Sequence, residues 1–153
     1  MGFWLAESCA HAGNRAGSNF SPGISNIFAA TGDAMTQTFG DFLDTQGDLH
    51  DCEVRNMWWD IGSSAMEISL VDANANFLGL PEYIGPMPGR ICFNGVQSID
   101  FQMSHAEPKL SIYEANFYLD GEYSVTEFRF SPSGKIVIRC RSIHFHKVNV
   151  DGV

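Results

Sequence analysis

Apolar and polar positions alternate most regularly in the C-terminal third of the chain. Residues 110–119, 122–130 and 135–148 read as three successive strands, joined at Asp120-Gly121 and at Ser131-Pro132-Ser133-Gly134. Asp-Gly between alternating runs predicts a two-residue hairpin turn of type I′, which needs positive φ at both central positions. The pattern therefore predicts an antiparallel meander. Cys140 alternates with Ile136 and Ile138, which assigns all three to one apolar face. Polar Ser142 interrupts that alternation, so a bend near Arg141–Ser142 is expected to turn Ile143 and Phe145 inward and His144 and His146 outward.

Upstream, Met66, Ile68 and Leu70 fall on one side of residues 65–71, with Glu67 and Ser69 on the other. That is the period of a half-buried strand. Residues 49–60, 90–93 and 96–102 read as further strands, the last anchored by Val96, Ile99 and Phe101. Phe39, Phe42 and Leu43 stand at helical spacing and predict a short helix, or else an irregular lead-in, over residues 36–43. Between Gly79 and Gly89, prolines 81, 86 and 88 prevent a helix or a central strand. An irregular stretch as long as residues 72–89 is more often functional than not. The fold class expected is mainly β (a β-rich α+β chain), a sandwich or curved sheet of six or seven antiparallel strands with one or two short helices. Residues 1–34, rich in Ala, Gly, Ser and Asn, read as an N-terminal extension to a single domain over residues 35–153.

Composition sharpens this picture in two ways. At 153 residues with a 44% hydrophobic fraction, the chain is globular and long enough to bury a core. No apolar run approaches the roughly 20 residues of a membrane span, and residues 1–12 lack the basic start of a secretory signal. A cytoplasmic protein is expected, with no membrane partner. Its four cysteines lie far apart and are expected to be free, buried thiols.

Charge is distributed unevenly. The formal net charge is −9; ten acids face Arg55 alone between Asp33 and Glu82, whereas residues 129–147 hold five bases and no acid. An acidic half repels nucleic-acid phosphate and attracts a basic partner. Nucleic acid is not expected as a partner.

Candidate chemistry is sparse. There is no Gly-x-Ser-x-Gly elbow, phosphate loop or dinucleotide fingerprint. His50 and Asp51 are adjacent, so in a strand they point to opposite faces and serve turns better than a catalytic dyad. His144 and His146 share a strand face at zinc half-site spacing, and His50, Cys140 or Asp51 is a conceivable third ligand. The expectation is nonetheless no catalytic residue, no metal and no cofactor. A small-molecule or lipid-binding β fold is the alternative, its many Phe side chains lining a cavity; a metal-dependent enzyme on His50, His144 and His146 is the more remote one.

One resemblance adds to this reading. Phe39-Gly40-Asp41 precedes Leu49-His50-Asp51-Cys52-Glu53-Val54, and strands such as residues 66–70, 90–96 and 134–143 follow. Over residues 39–148 this order resembles bacterial immunity proteins of polymorphic-toxin systems, which share a Leu-His-Asp start and a β-rich body. The resemblance implies binding and neutralising a toxin, without catalysis. An acidic protein suits a toxin with a basic cleft. On this reading Asp44, Asp48, Glu53 and Asp60 would meet the partner, with one of the adjacent Trp58 and Trp59 as an aromatic anchor while the other faces inward, and Glu82-Tyr83-Ile84 as a second contact. The protein itself is expected to be a monomer or a weak homodimer.

Overall fold

A computed structural model describes residues 39–104 and 108–149. The expected extension over residues 1–34 lies outside the described residues. Phe39–Thr45 is the helix α1, and its apolar positions Phe39, Phe42 and Leu43 are all buried. A helix this short depends on such packing, because its own hydrogen bonds barely offset nucleation. The strands are β1 (Glu53–Asp60), β2 (Ala65–Leu70), β3 (Gly89–Asn94), β4 (Ser98–Gln102), β5 (Leu110–Asp120), β6 (Tyr123–Ser131), β7 (Lys135–Cys140) and β8 (Ser142–Lys147). They form one antiparallel sheet in the order β4-β7-β6-β5-β1-β2-β3-β8.

The fold class is mainly β, as the alternation predicts, with eight strands because residues 135–148 divide at Arg141. Ile136, Ile138 and Cys140 are buried on β7; beyond the break Ile143 and Phe145 pack on the core, while His144 and His146 are exposed. A matching break separates β3 from β4. There Val96 N–H donates to Ser64 O at 2.8 Å, Gln97 N–H to Arg139 O at 2.8 Å, and Arg141 N–H to Asn94 O at 3.0 Å. Since β3 runs on into β4 and β7 into β8, the β3–β8 and β4–β7 ladders are two arms of one bent pair. The sheet stays open but folds back over itself. Its inner faces meet where the Phe93 and Phe128 rings touch edge to face, centroids 6.4 Å apart.

Two details depart from the pattern. Asp120 pairs with Tyr123, so the β5–β6 turn is Gly121-Glu122 rather than Asp120-Gly121. Gly121 has positive φ and Glu122 does not, which is the type II′ signature rather than type I′. Phe101, expected as an apolar anchor, is 51% exposed on the end strand β4.

Helix α1 lies against the far part of β5 and against β8. Phe39 meets Phe117 at 5.8 Å, and Phe42 stacks on Phe145 at 4.2 Å. Phe145 can lie so close to the sheet because Gly89 has no side chain; a Cβ there would collide with its ring. Cys52 and Cys140 are free and buried, as expected. Burial pushes both thiols up to about 12. Cys92 departs from the free-thiol expectation, being disulfide-bonded. Among the described residues no helix is long and apolar enough to cross a membrane.

Candidate protein-docking surface

The chain between α1 and β1 makes a left-handed turn. Gly47, Asp48 and Leu49 all have positive φ, at 58°, 55° and 57°, and Asp51 follows at 66°. Such a conformation costs a branched residue like Leu49 on the order of 1 kcal/mol or more. Its complete burial offsets that cost. Gly47 passes so near the Asn76 carboxamide that a Cβ would collide with it. This close approach joins the α1–β1 turn to the irregular segment 72–88.

That segment is held by buried polar groups rather than by a ladder. The Asp72 carboxylate accepts hydrogen bonds from Asn74 N–H and Met87 N–H, each at 2.8 Å, and from the Tyr83 hydroxyl at 3.0 Å. Asn74, 5% exposed, donates its amide to Gly85 O at 2.8 Å. Ala73 N–H reaches Met87 O, again at 2.8 Å, and closes the base. Tyr83 is therefore committed to the scaffold, and desolvation together with the Asp72 carboxylate raises its pKa. While its polar groups turn inward, the loop leaves Leu78, Leu80 and Ile84 outside, 70%, 52% and 86% exposed. Aliphatic residues displayed on a braced loop form a ready contact surface.

The acidic side chains near this loop differ in how they are used. Asp51 lies 3.2 Å from His50 Nδ1. Asp44, Asp48 and Glu82 have no ion-pair partner among the described residues. Two acids further along the tract are paired with bases. Glu53 pairs with Lys109 at 3.2 Å, and Glu67 with Arg90 at 3.6 Å. Three of the five bases of the C-terminal segment are answered likewise: Arg129 pairs with Glu114 and Glu127, Lys135 with Glu127, and Arg139 with Asp120. Hydrogen bonds from Lys135 and Arg129 hold the Glu127 carboxyl below its ordinary value.

The six residues expected to meet a partner are not gathered into one patch. Asp44 and Asp48 flank the turn after α1, and Tyr83 lies in the adjoining loop. Glu53 begins β1, whereas Trp58 and Asp60 are near its other end, roughly 20 Å further along at the usual strand rise. Asp60 accepts from Gly62 N–H at 3.0 Å and from the Ser63 hydroxyl at 2.7 Å, so it braces the β1–β2 turn. The expectation that one of Trp58 and Trp59 must be internal fails, because both are about half exposed. A register shift between Val54 and Asn56 leaves Trp59 opposite buried Met66, yet in the part of β1 that has run past its ladder with β5. Sequence reasoning included Ile84 but missed Leu78 and Leu80. Their signal was available, since both are large apolar residues in a stretch that proline and glycine bar from regular structure.

The three histidines do not form a centre. His50 sits beside Asp51 and Tyr113, whereas His144 and His146 occupy the outer face of β8 with rings 6.4 Å apart. Among the described residues no group of three or more His, Cys, Asp or Glu side chains is placed to hold a metal ion.

No family model and no curated protein matches the chain. Among solved structures it is similar to the crystal structure of an uncharacterized protein from Neisseria gonorrhoeae, at 15% identity and a TM-score of 0.46. The alignment covers 65% of this chain and 93% of that one. A likeness at that level carries no argument about fold or function.

Proposed function

We propose that the chain is a non-enzymatic protein-binding domain that docks a basic partner on the surface shared by the α1–β1 turn and loop 72–88. The observation that carries this reading is the braced loop, with Leu78, Leu80 and Ile84 exposed on it and the uncompensated Asp44, Asp48 and Glu82 on or beside it. Desolvated aliphatic anchors supply most of the binding energy at such surfaces, and the flanking charges speed encounter and select a positive partner. The immunity-protein resemblance gives the partner's class in this proposal, a toxin domain whose basic cleft is occluded. Binding, rather than turnover, is then the whole activity.

The test is affinity capture with the full chain, wild type against Ile84→Asp and Asp48→Lys, followed by co-expression of the captured protein with each variant. Wild type is expected to capture a basic protein and to suppress its toxicity. Ile84→Asp should weaken binding by about 2–4 kcal/mol, as loss of an anchor does. Asp48→Lys should chiefly slow association, and the difference should shrink in high salt. Failure to recover a basic protein, or equal capture by Ile84→Asp, would end the reading.

A further inference from the structure

At the bend of the sheet, away from loop 72–88, a half-open cleft of about 350 Å³ is bounded by α1, the β5–β6 hairpin and the β7–β8 corner. Phe39, Phe117 and Ile143 give it apolar walls, and Ser124 and Arg141 give it a polar side.

The two arginines near this corner are used differently. Arg139 pairs with Asp120 and lies over the Tyr123 ring, 4.4 Å from its centroid. Arg141 has no carboxylate within ion-pair distance among the described residues. Its aliphatic stem crosses Gly95 so closely that a Cβ there would stand 3.0 Å from the stem carbons. The stem thus lies along Gly95 at the corner, and the guanidinium beyond it is uncompensated among the described residues in a chain of net charge −9.

We infer that this cleft binds a single-chain anionic amphiphile, with its tail against Phe39, Phe117 and Ile143 and its head group on Arg141. Charge complementarity selects the occupant. A guanidinium presents paired donors that match the oxygens of a carboxylate or phosphate, while the apolar walls favour a hydrocarbon tail. This site shares no residue with the proposed docking surface, so either can stand without the other.

The experiment is an NMR titration of the full chain with decanoate, decyl phosphate, decanol and decylamine. Decanoate or decyl phosphate should shift the Phe117, Leu119, Ser124 and Ile143 resonances saturably, and the tighter of the two identifies the head group. Decanol and decylamine should bind at least about tenfold more weakly, the usual worth of one charge-assisted hydrogen bond. Arg141→Gln should cost a similar factor. Because Arg141 is exposed, this variant is expected to fold. Leu119→Asp, at a position 70% exposed on the hairpin beside the cleft, should also weaken the anion by placing a like charge near the head group. Absence of saturable binding, shifts confined to other parts of the protein, equal binding of decanol, or an unchanged affinity in Arg141→Gln would each overturn the proposal.

Discussion

Two parts of the molecule expose large apolar side chains, and they are built on opposite principles. At the β1–β2 hairpin end, Trp58, Trp59 and Ile61 are exposed because β1 runs on past its ladder with β5, which pairs Glu53 and Val54. Its turn is braced locally, by Asp60 reaching residues two and three positions away. Loop 72–88 exposes Leu78, Leu80 and Ile84 in a different way. There a partly buried carboxylate ties together groups as far as fifteen residues apart, and a buried asparagine ties the rest. Buried polar groups cost free energy unless every partner is in place. A fold that needed only to cross from β2 to β3 would be served by a shorter, simpler loop. The comparison indicates that exposure alone marks an overhang, whereas exposure combined with an internal polar brace marks a presented surface.

The sharpest way to break that comparison is to remove the brace. Asp72→Ala should destabilise the protein by about 2–4 kcal/mol, because two backbone donors and one hydroxyl lose their acceptor together. Urea unfolding gives the magnitude, and limited proteolysis gives the place: new cleavage is expected within residues 78–84. If Asp72→Ala melts like wild type and remains resistant there, the loop is not held by its polar interior and the distinction between the two regions collapses.

A smaller effect tests the other side. Trp58→Ala and Trp59→Ala should each lower stability by less than about 1.5 kcal/mol, since each ring is only half withdrawn from water. Both should leave capture of a basic partner unchanged. A tryptophan variant that abolished capture while Ile84→Asp did not would move the docking surface to the opposite end of β1.

Part of this was legible in the chain. Period-two alternation located the strands, and the parity change between Cys140 and Ile143 disclosed the corner that folds the sheet. Local spacing likewise placed Phe39, Phe42 and Leu43 on one side of α1. The β5–β6 turn was found but misplaced by one residue, because Asp-Gly and Gly-Glu are equally compatible with the flanking pattern until pairing across the strands selects one. Charge proved the least readable quantity. Arg129, Lys135 and Arg139 look like a basic patch in one dimension, and cross-strand register sets them against Glu114, Glu127 and Asp120. The Asp72 network was hidden for a related reason: its Asx turn to Asn74 is local, but Tyr83 and Met87 lie eleven and fifteen residues away, and no short-range pattern couples them.

The smallest effect concerns the Asp60 turn, and its sign follows from the direction of the carboxyl's shift. The Ser63 hydroxyl, joined by the Gly62 and Ser63 amides, holds the Asp60 carboxyl below its ordinary value. The charged form is therefore favoured in the folded turn. Its contribution is fully present above the ordinary aspartate range and is lost as pH falls through the lowered value. Because the group is exposed, the loss should remain local. Amide exchange corrected for its intrinsic pH dependence should show Gly62 and Ser63 losing protection on acidification, with Asp60→Asn showing little of this change. The core amides of Phe93 and Phe128 should not follow. If acidification released the core together with the turn in wild type but not in Asp60→Asn, the hairpin end would be as integral to the fold as loop 72–88. Its exposed tryptophans would then require the same explanation as Leu78, Leu80 and Ile84.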